Sequence, residues 1–447
     1  MKILLVNPPR SPHNAIFDHA PEHAKRYIHR RLVGPPLGLL TLASAVRGRH
    51  DVALCDMKGI YDLDPAAAPP VELVRAWLER ERPALVGLTF IASEHPAGMA
   101  ILRAVKAFDP AIVTVAGGLH CTLCPDDFDD PAVDIVIPGP AAQVFCELAD
   151  AIEAGRPLEP IGGLLLRGAA GGLRPTAAAP ACDPAGRDYI APDRSLLTPW
   201  LSTYVVGRAT GPSTYVFTSL GCPYRCSFCS IWPQYGGAYH QRDVESVIAE
   251  LRTLDEYEVV RFADANTLVD LGFARRLFER IAAEGIKKTF IMDIRADTAA
   301  KNPDLIALLA RGGLRVVITG FESPDREELK KYGKNLKADL IGEAIKVFHD
   351  NGVMLRGNYI VRPDYGEAQF AALAEYAAQH TVAFAGYTIL TPMPGTPFHR
   401  EVAAEIVDRD LAKYNFFNCV LQTKLPLERF YEQVGALWPI RLGTETI

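Results

Sequence analysis

An α/β protein of at least two domains is predicted by three features of the sequence. These are its length, a series of short β-like runs alternating with helical stretches, and a second such series beyond an interval rich in Gly, Ala and Pro. At 447 residues the chain exceeds what one hydrophobic core usually organises. With 49% apolar residues, 22% charged residues and a formal charge of -6, it reads as a soluble globular protein rather than a disordered or fibrous one. That balance provides no basic surface for nucleic acid. The opening "MKILLVNPPR" stops its apolar run at Pro8 and Pro9, short of a signal peptide, and no later run is long enough to span a bilayer as a helix. The expectation is a cytoplasmic protein with no transmembrane segment; peripheral membrane contact is left open.

In chain order, residues 1–155 carry the runs "KILLVN", "DVALCD", "ALVGLTF", "AIVTVAGG" and "DIVIPG", separated by helical stretches such as "HPAGMAILRAVKAF". Such alternation predicts a parallel sheet flanked by helices. Between residues 162 and 200 helical periodicity is lost, which predicts a hairpin and an extended linker over residues 156–205. From residue 206 to 400 six further runs, "STYVFTSL", "VVRFAD", "KKTFIMDI", "LRVVITGFE", "VMLRGNYIV" and "AFAGYTILT", predict a barrel or partial barrel. Residues 401–447 read as a small mixed cap carrying Tyr414, Phe416, Phe417, Phe430, Tyr431 and Trp438.

Three of the nine cysteines, Cys222, Cys226 and Cys229, fall within eight positions behind the first strand of the second series. A structural zinc site wants four protein ligands and a disulfide wants two. Three thiolates on one loop suit a cubane iron–sulfur cluster whose fourth iron stays open for a substrate. Loops at the carboxyl ends of parallel strands are also where such folds place chemistry. The bland alternative is a zinc or electron-transfer site completed by Cys182 or Cys419.

The spacing Cys-x-x-x-Cys-x-aromatic-Cys, with Phe228 as the aromatic, resembles that of the radical S-adenosylmethionine enzymes. The resemblance implies a 4Fe–4S cluster that binds S-adenosylmethionine and cleaves it to a 5'-deoxyadenosyl radical. Phe228 is then expected near the adenine, with Asp264, Asn266, Arg295 and Glu322 lining the pocket. Their bland alternatives are a helix cap for Asp264 or Asp297 and a structural ion pair between Arg295 and Glu322. "TPMPGTP", residues 391–397, resembles the family's loop over the site. Arg362 stands where many relatives have Gly, and its side chain is expected to reach towards the substrate.

In the first series "GLTFIAS" and "VTVAGGLH" resemble the Ser-x-Leu and Gly-Gly segments of cobalamin-binding domains. Thr89 and Ile91 take the places of the first pair and Gly117 and Gly118 those of the second, where a β-carbon would obstruct a flat ligand. The expected cobalamin contacts are Asn7, Pro8, Pro9, Thr89, Ile91, Ser93, Glu94, His95, Gly117, Gly118 and His120. None of the eleven histidines has Asp two residues before it, so the Asp-x-His-x-x-Gly element that supplies a lower cobalt ligand in many such proteins is absent. Ser93–Gly98 is its nearest imitation, and His95 is expected to hydrogen-bond the cobalamin tail or to meet solvent rather than to ligate cobalt. The acidic family segment at the sheet edge is replaced by "PGPAAQ", residues 138–143. An ordinary flavodoxin-like domain is the alternative.

Taken together, the resemblance implies an N-terminal Rossmann-like cobalamin-binding domain, a partial (β/α)6 TIM-type radical S-adenosylmethionine barrel and a mixed C-terminal cap. The implied activity is cobalamin-dependent methylation of an unactivated carbon in an apolar polycyclic small molecule, hopanoid-like by the tail's similarity. A flavodoxin or ferredoxin would donate the electron. Its alternatives are an oxidative cyclase or rearrangement enzyme acting on a tetrapyrrole or other natural product, and a non-catalytic cobalamin sensor. Methyl transfer further requires the strand-end loops of the two domains to oppose each other.

Overall fold

The computed structural model describes residues 1–28, 34–179, 182–206, 211–334, 338–380 and 384–440. They form two compact units. The first comprises Met1–Pro12, Pro35–Tyr204 and Pro233–Gly236; the second comprises His13–Gly34, Val205–Trp232 and Gly237–Ile447.

In the first unit the strands are β1 (Lys2–Asn7), β2 (Asp51–Asp56), β3 (Leu85–Thr89), β4 (Val113–Gly117), β5 (Ile135–Ile137), β6 (Leu165–Arg167) and β7 (Leu173–Pro175). They make one sheet in the order β2-β1-β3-β4-β5-β6-β7, parallel from β2 to β5 and antiparallel at β6 and β7. All five runs expected as parallel strands lie in it. Ile3 to Val6 are fully buried because helices cover both faces, so a parallel strand reads as a continuous apolar run. On one face Val74 and Leu78 of the helix Pro70–Glu81 and Ile101, Leu102 and Val105 of the helix His95–Phe108 share a core with Leu4, Val6, Val86 and Leu88. The strand order reverses between β1 and β3, and open sheets of this kind take ligands at the carboxyl ends beside such a reversal. The expected hairpin is β6–β7, turned at Gly171 and Gly172 with φ of 86° and 77°, and it extends this sheet.

The second unit contains β8 (Ser213–Val216), β9 (Ser219–Gly221), β10 (Tyr239–Gln241), β11 (Val259–Phe262), β12 (Thr289–Asp293), β13 (Leu314–Glu322), β14 (Met354–Val361) and β15 (Phe384–Ile389). Six of these form a parallel sheet in the order β15-β14-β13-β12-β11-β8, without a ladder between β15 and β8 among the described residues. This is the expected partial barrel. Its helices are amphipathic: in Leu271–Ala283, residues Phe273, Ala274, Leu277, Phe278 and Ile281 are buried, and Asp270 caps the start by accepting from the Phe273 N–H. Phe278 packs edge-on to Phe290, which stacks on Phe262 at 5.1 Å. The run "STYVFTSL", expected as one strand, is two. β8 belongs to the barrel, whereas β9 pairs antiparallel with β10.

The C-terminal region is built around the helix Leu427–Leu437. Four of the six cap aromatics, Tyr414, Phe430, Tyr431 and Trp438, are buried in packing. Tyr431 stacks on His19 at 5.4 Å and its hydroxyl accepts from the Cys419 N–H. A side chain at Gly435 would meet Ala20 at 2.6 Å, so this helix and the segment after Ala15–His19 approach closely only because Gly435 has none. Tyr431 is therefore a packing residue and not part of a lid; Phe416 is exposed and Phe417 half-buried.

Candidate cofactor sites

The cysteine loop is closed by its own stem. Ser219–Gly221 and Tyr239–Gln241 pair on either side of residues 222–238, and Gly221, at φ 79°, starts the turn into Cys222. Within the loop the Cys229 N–H donates to the Cys226 carbonyl, which also accepts from the Trp232 indole at 3.0 Å. Outside it, the Ser227 N–H donates to Tyr332 and the Ser227 carbonyl accepts from Phe398, two residues after Thr396 in the "TPMPGTP" loop. Phe228 packs edge-on to Tyr332 at 5.3 Å. All three thiols are free. Burial pushes each of them up, Cys229 to about 11, against the opposing pull of Arg295 on Cys222 and of Lys334 and Arg295 on Cys226. Metal binding at such thiols releases protons.

Among the described residues, the one group whose three ligand atoms all lie within 4.8 Å of one another is His120, Cys124 and Asp127. The loop cysteines are spread more widely than a single tetrahedral ion could bridge at Zn–S bonds of about 2.3 Å. Cys419, a candidate fourth ligand, instead donates its thiol to the Leu421 carbonyl.

At the mouth of the barrel Asp264 is buried and accepts from the Thr218 N–H, the Thr218 hydroxyl and the Ser219 N–H at 2.7, 2.5 and 2.9 Å. It is thus an anchor for the start of the loop and not a helix cap. Burial pushes its carboxyl up to about 6 in spite of those three donors. Asn266 is 4% exposed, yet both atoms of its amide lack a partner. An orphaned buried amide is costly and is the observation that best fits an absent polar ligand. Arg295 forms a two-pronged pair with Asp297, both bonds at 3.0 Å, and its guanidinium lies 4.3 Å from the Tyr224 ring. Glu322 pairs with Lys334 at 2.8 Å. The expected alternative of an Arg295–Glu322 ion pair is therefore replaced by two separate pairs. Glu322 has φ 62°, a strained region for a residue with a β-carbon, and a β-carbon at Gly320 would lie 2.1 Å from its carboxylate. Lys334 was not legible in the sequence: nothing in "KYGKN" marks it, and only the fold brings its ammonium to Glu322 and the Gly320 carbonyl. Arg362 is held by Asp364 through two bonds of 2.8 Å, with Glu328 at 3.7 Å.

In the first unit the expected contacts gather at the carboxyl ends of β1, β3 and β4. The buried Asn7 amide donates to Asp56 at 2.7 Å, and Tyr204 donates to the same carboxylate; Pro8 and Pro9 follow, buried. Two backbone bonds staple the β3 and β4 loops: Phe90 N–H to Gly117 and His120 N–H to Phe90, at 2.9 and 3.0 Å. Gly118 has φ 97°, and a β-carbon there would meet Thr89 Oγ1 at 2.6 Å and Phe90 N at 2.8 Å. Gly117 has open space in front of it, its nearest neighbour being the Ile137 carbonyl at 3.7 Å. Ile91 is exposed, whereas Ser93 and Glu94 are buried, Glu94 against Lys58 at 2.5 Å.

His95 Nε2 contacts the Asp127 carbonyl at 3.0 Å, and the ring packs against His120 and Phe128. Burial lowers its affinity for a proton. It is tied into the protein's own loop by this contact. Gly98, the end of the imitated motif, makes room for Phe90, whose ring lies 2.2 Å from where its β-carbon would stand. His120 Nε2 is 2.9 Å from Asp127 Oδ2, close enough for an ion pair, but in a direction that makes no hydrogen bond. Gly118 and the clear approach to Gly117 form a cradle that suits a flat ligand.

A parallel sheet with a reversal crevice and a separate barrel carrying an open three-thiol loop define a two-cofactor radical enzyme. The B12 binding domain model matches residues 27–149, and the radical SAM superfamily model matches residues 216–377. The chain is 30% identical over 433 residues to an uncharacterized methyltransferase of Pyrococcus horikoshii, spanning 95% of this chain and 88% of that protein. It is 25% identical over 405 residues to the hopanoid C-3 methylase of Methylococcus capsulatus, 89% of this chain and 75% of that one. The radical S-adenosylmethionine methyltransferase TsrM of Kitasatospora setae, with cobalamin and a 4Fe–4S cluster bound, shares the fold at a TM-score of 0.70 and 19% identity, over 97% of this chain and 84% of that chain. The chain belongs to the cobalamin-dependent radical S-adenosylmethionine methyltransferases. Its cofactors are a 4Fe–4S cluster, S-adenosylmethionine and cobalamin.

Proposed function

We propose that Cys222, Cys226 and Cys229 ligate three irons of the cluster, and that Phe228, Asp264, Asn266, Arg295 and Glu322 form the S-adenosylmethionine pocket beside it. Cobalamin is held by the loops of Asn7–Pro9, Thr89–His95 and Gly117–His120. The orphaned Asn266 amide is the observation that carries the pocket assignment, because a buried amide with no partner lacks a bond that a polar ligand can supply. When bound, these groups supply one-electron activation of a C–H bond and a transferable methyl.

The residues of the chain do the positioning. Asp264 fixes the first turn of the loop, Ser227 ties its middle to Tyr332 and Phe398, and the Arg295 and Lys334 cations offset the charge of three thiolates. Glu322 and Lys334 orient each other at the end of β13. In the first unit Gly118 keeps the β4 loop against Thr89, and His95 holds the Asp127 loop instead of offering Nε2 to cobalt.

The substrate is a small molecule methylated at carbon. Similarity to the hopanoid C-3 methylase supports an apolar polycycle. A flavodoxin- or ferredoxin-type donor supplies the electron, in the cytoplasm; among the described residues no helix is long and apolar enough to cross a membrane. The test is anaerobic incubation with methyl-labelled S-adenosylmethionine, a reductant and candidate lipids or tetrapyrroles. Cleavage of S-adenosylmethionine and label on a substrate carbon are expected. Cleavage that is undiminished by Asn266→Leu would overturn the pocket assignment.

A further inference from the structure

The lumen of a parallel barrel is ordinarily filled by layers of branched apolar side chains. Here four strands bring polar groups into it. Arg261 of β11 donates to Asp293 of β12 at 2.8 Å, and its guanidinium lies 5.4 Å from the Tyr215 ring of β8. From β14, Arg356 and Asn358 occupy the space left by Gly386 of β15: a β-carbon there would meet Asn358 Oδ1 at 2.8 Å and Arg356 Nη2 at 3.1 Å. A side chain at position 386 would push on Asn358 first and crowd the guanidinium more lightly.

The charges do not balance. Arg261 and Arg356 face a single carboxylate, Asp293, which Arg261 already holds. Among the described residues Arg356 makes no hydrogen bond or ion pair, and its buried Nε has no acceptor; the Arg261 Nε is likewise unmatched. A buried N–H without an acceptor is a costly arrangement for a fold to keep. Burial, and after it the neighbouring Arg261 cation, push the Arg356 guanidinium below its ordinary value, so its own surroundings disfavour the charge it carries.

We propose that Arg356, with Asn358 beside it and Gly386 beneath it, binds an oxyanion of the substrate, a carboxylate or a phosphate, in the barrel lumen. The inference rests on the reading of the chain as a small-molecule methyltransferase, and it names the substrate class. Arg356 pairs with Ile318 and Phe384, five residues before the carboxyl end of β14 at Val361. Through Ile318 it is level with Asp293, the last residue of β12, so it faces the ends of the strands that lead into the cysteine loop.

The test needs no turnover, so its failure is distinct from a failure of the methyltransferase reading. Thermal unfolding of the full-length protein loaded with cluster and cobalamin is followed at fixed ionic strength with phenyl phosphate, hexanoate and the uncharged control hexanamide. A saturable rise of the midpoint with at least one of the two anions, absent with hexanamide and absent in Arg356→Met, is expected. Without ligand, Arg356→Met should melt no lower than the parent, because the charge it removes has no partner; Arg356→Lys should retain part of the anion effect. No saturable rise with either anion, an equal rise with hexanamide, or an unchanged rise in Arg356→Met would overturn the proposal. So would a ligand-free Arg356→Met that melts several degrees lower, which would mark Arg356 as a structural cation.

Discussion

The two units present their candidate sites by opposite means. In the first, the strand interiors are mostly apolar and the candidate contacts gather at the carboxyl ends of the strands and just after them, held largely by backbone bonds and by a glycine at a left-handed φ. The second projects polar side chains from the strands and strand ends themselves: Arg261, Asp293, Glu322 and Arg356. A site made of backbone suits a large flat ligand recognised by shape. A side-chain site suits a chemistry that must be aimed at one atom. Substitutions that add a β-carbon should therefore damage the first, and substitutions that remove a functional group should damage the second.

The largest effect is expected where function depends wholly on side chains. Replacing Cys222, Cys226 and Cys229 together with Ala should abolish the 4Fe–4S cluster and S-adenosylmethionine cleavage, while cobalamin binding to the first unit persists. Iron and sulfide analysis after anaerobic reconstitution checks it, with cobalamin absorbance as the internal control. A full complement of cluster in the triple variant would remove the loop from the chemistry.

Backbone recognition is probed next by Gly118→Ala. The added methyl would sit 2.6 to 3.0 Å from Thr89 Oγ1 and the Phe90 backbone, at a φ of 97° that strains any L-residue. A loss of about 1–3 kcal/mol in unfolding free energy is expected from such strain, together with reduced cobalamin retention. Gly139→Ala is the control, since φ there is 78° but nothing lies within 4 Å of the added methyl. It should cost about 1 kcal/mol by the left-handed backbone penalty alone and leave cobalamin in place. Equal retention by both variants would break the contrast between the two sites.

Asp264→Asn should have a smaller, local effect on the second. Three donors converge on the carboxylate, and an amide would turn a fourth donor towards them, at a cost of about 1–3 kcal/mol. Because the native carboxyl is pushed up to about 6, the sign of its pH effect is fixed: the folded state holds the proton more tightly than the unfolded chain does. Stability contributed by this proton is full below about 4 and lost as pH rises through about 6. The difference between parent and variant across that window, from chemical denaturation, measures it.

What the sequence disclosed follows the same division. The runs of the first sheet were legible because strands buried on both faces read as unbroken apolar stretches, and the cysteine spacing was legible because three ligands must share one short loop. The separation of β9 from β8 was not, since "STYVFTSL" has strand propensity throughout and only the pairing partner at Tyr239–Gln241 divides it. Nor were Arg261 and Arg356. Each sits in an apolar run, and local pattern cannot say whether such a residue faces the lumen or the flanking helices. The cap aromatics were undecided for a related reason: spacing fits a packed helix face and a substrate cover equally, and it is burial that assigns Tyr414, Phe430, Tyr431 and Trp438 to packing.

The smallest expected effect is at His95, and it tests whether a side chain matters to the first site at all. Its Nε2 contacts the Asp127 carbonyl and its ring is wedged against Phe128 and His120, so the residue is committed to holding one loop against another. His95→Ala should cost about 1 kcal/mol of stability for the lost bond and should leave the cob(II)alamin electron paramagnetic resonance spectrum as it was, with no nitrogen superhyperfine splitting in parent or variant. The absence of splitting follows from the missing Asp-x-His-x-x-Gly element and from the engagement of this ring, which would have to break its contact to turn Nε2 elsewhere. Splitting in the parent that disappears on His95→Ala would mean that cobalamin does pull the histidine out of its loop. Recognition in the first unit would then rest on a side chain after all, and the contrast between the two sites would collapse to a difference of strand polarity.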